Sequence, residues 1–328
     1  MIRLFRSREF SIFLAFAILV VVTCFVNPKF VFSSDGWRDL WITPSILLVL
    51  AIGETFVIIT NNVDLSVGST LGLTAFSVGI LNANFPGMSP ILTFLAGIGI
   101  GMGLGLINGA LVAAAKVPGM VITLGTMYAY RGVDIVWAGS RRINASELDP
   151  GLLNLGTASL PLVRIPYITV IAAIALFVAA WYLGNMRSGR ELYAVGSATE
   201  AAELYGLKTR RRMLTSFIVS GACAGLAGVL FAARYGTIAS NAGTGYELQA
   251  IGAAVIGGVA IVGGSGTAVG AALGALLLAT INRALPILGI QDFWQRAVLG
   301  VLILGAIILD RVLARRNLRR LTAERISS

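Results

Sequence analysis

Long apolar runs constrain this chain more than any other feature. They recur along its whole length, and a helix of roughly 20 residues crosses about 30 Å of hydrocarbon while satisfying its own backbone hydrogen bonds. The chain is 57% hydrophobic and only 12% charged, which lies outside the usual balance of soluble domains. The sequence therefore predicts an all-α, polytopic membrane protein with a single transmembrane domain over residues 1–328.

The apolar runs predict about ten transmembrane helices. They lie at Phe10–Val26, Leu40–Thr60, Leu65–Ala83, Ile91–Ala115, Gly119–Ala138, Ile165–Gly184, Met213–Ala233, Tyr246–Val262, Gly266–Leu285 and Trp294–Leu313. The eighth and ninth runs touch at "VGGSG", so these two are either full spans or broken, re-entrant segments.

The basic residues predict the orientation, because short loops rich in lysine and arginine stay in the cytoplasm. With the N-terminus inside, most of the 25 basic residues fall on the cytoplasmic side. They include those of a loop at 187–212 and of a basic tail at 314–328. Both termini are therefore expected to be cytoplasmic. This topology and anionic membrane lipid explain the net charge of +10, so no nucleic-acid partner is expected.

Several chemistries are excluded by composition. The chain has no histidine, which removes histidine-ligated metals and histidine acid/base catalysis. Cys24 and Cys223 lie in separate apolar spans and indicate no disulfide framework. No Gly-x-x-x-x-Gly-Lys-Ser/Thr run cradles phosphates, so any ATP is expected to be hydrolysed by a partner. The acids are scattered singly, which disfavours a membrane enzyme.

One polar loop interrupts the membrane domain, with the sequence "MRSGRELYAVGSATEAAELYGLKTRRR". Ser197 and Glu200 fit the capping-box pattern Ser-x-x-Glu, and strong helix formers continue to Gly206. The pattern predicts a short helix along the inner membrane surface. The residues alone leave open whether this helix only connects two spans or docks on a partner.

Charged residues inside the spans must pair or face water, because an isolated charge in hydrocarbon is costly. Arg131 and Asp134 are three residues apart, a spacing at which they can neutralise each other on one helix face. Glu54 has no sequence-local partner, so it either lines a polar cavity or pairs with a distant basic residue.

Asp64 follows Asn61 and Asn62 just before the third span. Its carboxylate is expected to cap that helix by accepting free backbone N–H groups near the positive end of the helix dipole. The alternative is a carboxylate that takes part in chemistry. The intramembrane polar residues expected to lie on or near a translocation path are Glu54, Asn61, Asn62, Asp64, Arg131 and Asp134.

Small residues recur three or four apart in "AGIGIGMGLGLINGA", "SGACAGLAG" and "GTAVGAALGALL". This spacing predicts close helix packing in lipid. Weak similarity between "DLSVGSTLGLTAFSVG" and "GGSGTAVGAALGALLLA" fits either an internal repeat or a shared glycine bias.

Four stretches carry a family resemblance: "VDLSVGS", "ITLGTMYAYRG", "GRELYAVGSATEAAELYGLKT" and "IGAAVIGGVAIVGGSGTAVGAALGALLL". Over nearly its whole length the chain resembles the permease subunits of ABC importers for ribose, xylose, arabinose, rhamnose and autoinducer-2. It has Asn61, Asn62 and Val63 where most of the family has two glycines before the Asp-Leu-Ser motif. With "AGTGYELQAIGAAVIGG", this is similar to the rhamnose and autoinducer-2 branch.

The resemblance implies a multi-pass protein of the bacterial inner membrane. Its partners would be a second permease copy or paralogue, a periplasmic sugar-binding protein, and an ATP-binding subunit that uses ATP and Mg. The residues implied to couple to the ATPase are Ser197, Glu200, Ala201, Ala202, Glu203, Leu204, Gly206 and Leu207. Those implied to meet the binding protein are Arg141, Arg142, Glu147, Asp149, Arg234 and Asn241.

The branch resemblance ranks rhamnose first as the substrate, ahead of autoinducer-2 and of other pentoses or hexoses. A function of another class stays open. A proton-coupled secondary transporter would use membrane carboxylates such as Glu54 and Asp134 as a relay and would need no partner.

Overall fold

A computed structural model describes residues 8–308, apart from residues 116, 162, 163, 292, 293, 295, 296, 299, 302, 303, 306 and 307. The basic residues before position 8, most of the tenth predicted span and the basic tail at 314–328 lie outside the described residues.

The described part of the chain is built from helices. In chain order they are α1 (Arg8–Val26), α2 (Lys29–Phe32), α3 (Ser34–Ile59), α4 (Val67–Asn84), α5 (Pro90–Ala114), α6 (Gly119–Ala138), a 3-10 turn (Ala145–Glu147), α7 (Pro150–Thr157), α8 (Tyr167–Asn185), α9 (Arg187–Ser197), α10 (Thr199–Leu204), α11 (Thr209–Tyr235), α12 (Tyr246–Ile256) and α13 (Ala268–Ile287). The only β-pairing among the described residues consists of two isolated bridges. The all-α prediction is confirmed.

Six of the described helices are long and apolar enough to cross a membrane: α1, α3, α5, α8, α11 and α13. The chain is therefore an integral membrane protein, while the total of ten spans and the orientation stay predictions.

The predicted eighth span, Tyr246–Val262, is helical only over the 11 residues of α12. That length reaches only about 16 Å. Gly258 and Gly263, both with positive φ, lie in the non-helical segment that follows.

Helices α3 and α11 form the centre of the bundle, whereas α1 and α8 are mostly exposed on its outside.

The contact between α5 and α11 is made of glycines. A Cβ at Gly101 would strike the backbone of Gly221 and Gly225, and a Cβ at Gly221 would strike that of Gly101. Because only glycine leaves room for this approach, the predicted close packing of small residues is confirmed here.

Helix α11 also defines the two ends of the bundle, since its 27 residues extend over about 40 Å. At its first residue, the Thr209 hydroxyl donates to Oε1 of Glu203, which lies in α10, at 2.6 Å. At its other end, Gly156 of α7 packs against the carbonyl of Ala233. We refer to these as the α10 end and the α7 end of the bundle.

Candidate functional site

A break of seven residues separates α3 from α4 inside the buried part of the bundle. Asn61 has a left-handed backbone with φ of 61°, a conformation that asparagine tolerates better than most residues. The Asn62 side-chain amide donates to the Thr60 carbonyl at 3.0 Å. The two asparagines therefore turn the chain between the helices.

Asp64 lies in this break with 2% exposure and is surrounded by donors. Its Oδ1 accepts the Ser66 backbone N–H at 2.9 Å, the Ser66 hydroxyl at 2.6 Å and the Asn108 amide of α5 at 3.5 Å. Its Oδ2 accepts the Ser220 hydroxyl of α11 at 3.4 Å. These hydrogen bonds stand in for water around the buried carboxylate.

The predicted cap is therefore only part of what Asp64 does. The N–H that it accepts belongs to Ser66, the residue just before α4, and not to the first turn of the helix. The other donors come from side chains, two of them on α5 and α11. Asp64 thus joins the break to two neighbouring helices as well as ordering the start of α4.

Sequence reasoning missed several members of this polar network. Asn108 donates to the Ser66 hydroxyl at 2.6 Å and accepts the Tyr130 hydroxyl of α6 at 3.0 Å. Thr123, also on α6, accepts the backbone N–H of Leu65 at 3.2 Å. Asn108 could have been found in the sequence, because it is the one amide side chain in the apolar stretch that forms α5.

Glu54 lies in α3 with 0% exposure. Neither carboxylate oxygen has a hydrogen-bond partner among the described residues, and the acidic group that acts on it electrostatically is Asp64. Neither predicted environment is seen in the described part of the chain: Glu54 pairs with no basic residue there and is closed off from solvent. No group of three or more acidic or cysteine side chains in the described part could hold a metal ion.

Arg131 and Asp134 form the predicted ion pair, with Nη1 and Oδ2 separated by 4.0 Å. Arg131 Nη1 also donates to the carbonyls of Ser240 at 3.3 Å and Ala242 at 2.6 Å. It therefore anchors the segment between α11 and α12. Asp134 has 0% exposure, and its oxygens have no hydrogen-bond partner among the described residues.

The six predicted path residues do not form one cluster. Glu54 and Asp64 interact with each other, and Arg131 and Asp134 pair on α6. Asn61 and Asn62 line a cavity of about 580 Å³ at the α10 end, together with polar side chains of Glu203, Thr209 and Arg210.

The predicted capping box between Ser197 and Glu200 is wrong. Ser197 is the last residue of α9, and its hydroxyl donates back to the Tyr193 carbonyl at 2.8 Å. Helix α10 begins after Ala198 without any side-chain cap. Because Ser197 continues the preceding helix, its hydroxyl is satisfied there, and the polar loop contains two helices instead of one.

The end of α10 presents two large side chains to solvent. Leu204 is 89% exposed and Tyr205, which lies in the predicted coupling segment but was not among its named residues, is 88% exposed. Ala202 is buried, and its carbonyl accepts the Leu207 N–H at 3.0 Å. The predicted helix stop at Gly206 is confirmed, since this glycine has φ of 79°. Of the other predicted coupling residues, Ser197, Glu200, Glu203 and Gly206 are exposed, while Ala201 and Leu207 are half-buried.

The α3–α4 break, the α12–α13 loop and the end of α9 meet at the α10 end. The backbone N–H of Gly264, in the α12–α13 loop, donates to the Ile59 carbonyl at the end of α3 at 2.9 Å. Gly196 of α9 packs directly on the same carbonyl, and Gly264 packs on Ser197. A displacement of α9 would therefore be felt directly by the backbone at the α3–α4 break.

At the α7 end, two ion pairs fix the predicted docking residues. Arg141 donates to Glu147 at 2.8 Å, and Arg234 donates to Asp39 of α3 at 2.8 Å. Hydrogen bonds from the Arg141 side chain and the Asn144 backbone N–H hold the pKa of Glu147 below its ordinary value.

The remaining docking residues lie on the same end. Backbone hydrogen bonds pair Ile143 with Ile238, which brings the loop of Arg142 beside the loop of Asn241. Arg142 and Asn241 are exposed. Asp149 begins α7 by accepting N–H groups of its first turn. The structure thus brings the six residues to one surface, although their docking role stays a prediction.

The chain matches a known family over most of its length. Residues 39–307 match the family described as "Branched-chain amino acid transport system / permease component". No solved structure matches the chain.

Curated relatives cover nearly the same length. The chain is 38% identical to "Autoinducer 2 import system permease protein LsrC" of Salmonella paratyphi B over 296 residues, which is 88% of this chain and 83% of the relative. It is 36% identical to the protein of that name in an Enterobacter species over 310 residues, 92% and 86% of the two chains. The protein of that name in Yersinia pseudotuberculosis is 36% identical over 91% of this chain and 83% of its own.

Proposed function

This chain belongs to the branched-chain amino acid transport system / permease component family, and we propose that it imports a small sugar-like molecule as the membrane subunit of an ABC importer. Its relatives are permeases, which are transport components. In this proposal a partner subunit binds and hydrolyses ATP with Mg, and this chain supplies the path through the membrane.

The observation that carries the proposal is the contact between the α9–α10 pair and the α3–α4 break. Helix α10 offers Leu204 and Tyr205 to a partner, because both side chains are almost fully exposed. Through Gly196 of α9, the same pair of helices touches the backbone of Ile59, and Gly264 of the α12–α13 loop contacts both Ser197 and Ile59. A push on α10 by an ATPase would therefore reach the Ile59 carbonyl, at the start of the break that holds Asp64.

The opposite end fits a second, transient partner. In the proposal a periplasmic binding protein meets the surface of Arg141, Arg142 and their neighbours, where mixed charge sets the rate and register of encounter more than its tightness. The protein would then lie in a bacterial inner membrane with its α10 end in the cytoplasm. A second permease copy or a paralogue would complete the pathway.

The substrate is proposed from the relatives. Sequence patterns ranked rhamnose ahead of autoinducer-2, but the relatives named above are all autoinducer-2 import permeases. We therefore place autoinducer-2 first and rhamnose second. Both molecules present several hydroxyl groups, which a path of glycine backbone with a few Asn, Ser and Thr side chains can pass without tight binding.

Uptake by cells tests the substrate. The gene is deleted and restored, and uptake of labelled autoinducer-2, rhamnose and ribose is measured separately. We expect autoinducer-2 uptake to fall in the deletion and to return with the gene. Loss of rhamnose or ribose uptake with normal autoinducer-2 uptake would contradict the substrate while leaving the permease assignment intact.

A proton-coupled transporter is the second candidate function. The observation in its favour is that two buried carboxylates, Glu54 and Asp134, have no hydrogen-bond partner among the described residues. Such a protein would work without an ATPase. Transport driven by a pH gradient in vesicles that contain this chain alone would favour it over the ABC importer.

A further inference from the structure

A basic pocket of about 510 Å³ lies between the start of α9 and the α10–α11 turn. Its charged lining consists of Arg187, Glu191, Lys208, Arg211 and Arg212. Four positive side chains and one carboxylate leave a clear surplus of positive charge. A pocket with this lining attracts an anion.

Two of the four cations are already paired. Glu191 accepts Arg187 Nε at 2.9 Å and Arg212 Nε at 2.6 Å. Although burial opposes it, these hydrogen bonds hold the pKa of Glu191 below its ordinary value, so the carboxylate stays charged. Lys208 and Arg211 have no ion-pair partner among the described residues. They are the cations available to a ligand.

The start of α9 adds to this positive potential. The helix has 11 residues and begins at Arg187, and the preceding Met186 makes no side-chain cap. The first-turn N–H groups and the positive end of the helix dipole therefore lie beside the pocket.

The pocket lies beside the ends of two candidate membrane spans. Helices α8 and α11 both qualify as spans, and the pocket lies where α8 ends at Asn185 and α11 begins at Thr209. Trp181, one turn earlier on α8, is 48% exposed, and tryptophan is enriched at membrane–water interfaces. Phospholipid phosphates lie at this depth.

An apolar groove of about 460 Å³ lies farther along α8 and α11, and it shares no lining residue with the basic pocket. Its walls include Ile174, Val178 and Tyr182 on α8, and Val219, Cys223 and Leu226 on α11.

The groove and the pocket share helix faces. Tyr182 and Met186 are four residues apart on the chain, and Arg212 and Val219 are seven apart, so the lining of the pocket continues into that of the groove along the same two helices. Along α8, Ile171 at the far end of the groove lies about 21 Å from the helix end at Asn185, which is more than half of a hydrocarbon core of about 30 Å.

We propose that the basic pocket and the apolar groove form one binding site for an anionic phospholipid. The headgroup phosphate lies between Lys208, Arg211 and the start of α9, and one acyl chain lies along α8 and α11. A free phosphate would use the same cations, but it would leave the apolar groove without a role. The groove therefore favours a lipid.

Native mass spectrometry of the purified full-length protein tests the site. Retention of phosphatidylglycerol is compared with that of phosphatidylcholine carrying the same acyl chains. We expect the anionic lipid to be retained preferentially. The Lys208→Gln/Arg211→Gln double variant should lose about fivefold in phosphatidylglycerol affinity for each charge removed, since a basic residue near a membrane surface contributes about 1 kcal/mol. Arg210→Gln is the matched control, because Arg210 lines the other cavity.

A second pair of variants tests the apolar groove of the proposed lipid site. Ala175→Phe fills the groove and should lower phosphatidylglycerol retention, whereas Ala173→Phe, on an exposed face of α8 outside the groove, should not. Soluble glycerol phosphate should compete poorly because it has no acyl chain. Unchanged retention in the double variant would overturn the proposal. So would equal retention of phosphatidylcholine, or full competition by glycerol phosphate together with no effect of Ala175→Phe.

Discussion

The backbone N–H of Gly264 donates a hydrogen bond of 2.9 Å to the carbonyl of Ile59, more than 200 residues earlier in the chain. This bond joins the α12–α13 loop to the last residue of α3. Gly196 of α9 packs on the same carbonyl. One backbone oxygen thus connects the proposed ATPase-coupling segment with the α3–α4 break and the α12–α13 loop.

Gly196→Ala should weaken this connection. Its Cβ would strike the Ile59 carbonyl, and overpacking of this kind costs about 1–3 kcal/mol. We expect normal membrane insertion with a roughly tenfold loss of ATP-driven uptake, measured in vesicles together with ATP hydrolysis. Gly184→Ala is the control, since a Cβ there meets nothing within 4 Å. Wild-type uptake by Gly196→Ala would mean that the contact does not transmit coupling.

Leu204 and Tyr205 should anchor the ATPase. Buried aromatic and apolar side chains dominate protein interfaces, and truncating one such anchor typically costs about 2 kcal/mol or more. The double change to alanine is expected to weaken copurification of the ATP-binding subunit at least about tenfold while leaving the thermal stability of the permease unchanged. Tyr235→Ala at the α7 end, where a tyrosine is 51% exposed, is the control. Equal loss in both variants would argue against docking at α10.

The helices could be predicted because a membrane helix is specified locally, by an uninterrupted apolar run. The predicted fifth span coincides with α6, Gly119–Ala138. Helix α12 was predicted too long because "GGVAIVGG" is apolar enough to resemble a span, yet Gly258, Gly263 and Gly264 in it adopt positive φ and the helix ends before them. Hydropathy alone does not report backbone conformation.

The polar network was harder to predict because its members are distant in sequence. Asp64 and Ser66 are neighbours, and their sequence context indicated a helix start. Their bonds to Asn108 and Ser220 depend on how α5 and α11 pack, which no local pattern encodes. The capping box of Ser197 and Glu200 was predicted wrongly for a related reason. A Ser-x-x-Glu pattern does not show whether the preceding helix has already ended.

Asp64 should tolerate asparagine much better than alanine. Asparagine keeps an acceptor for the Ser66 N–H, whereas alanine leaves that N–H and the Ser66 hydroxyl without their acceptor at about 1–3 kcal/mol each. We therefore expect thermal unfolding in detergent to be clearly earlier for Asp64→Ala than for Asp64→Asn, with Asp64→Asn still active in uptake. Loss of transport in a fully stable Asp64→Asn variant would instead assign chemistry to the carboxylate.

The glycine contact between α5 and α11 predicts a contrast within one helix. Gly101→Ala should destabilise the protein by about 1–3 kcal/mol, because its Cβ would meet the backbone of Gly221. Gly103→Ala, two residues away and facing open space, should be neutral or stabilising by up to about 1 kcal/mol, since alanine favours helix. The measurement is the melting temperature of each variant, which should be lower for Gly101→Ala than for Gly103→Ala. Similar melting temperatures would contradict close packing at Gly101.

The most direct test of the ABC importer assignment is transport by the reconstituted complex. The permease, its ATP-binding subunit and its binding protein are placed in vesicles, with ATP on the α10 side and labelled autoinducer-2 with the binding protein on the α7 side. We predict uptake that requires ATP, all three components and the exposed pair Leu204 and Tyr205. Uptake that proceeds without the ATP-binding subunit and follows an imposed pH gradient would contradict the assignment.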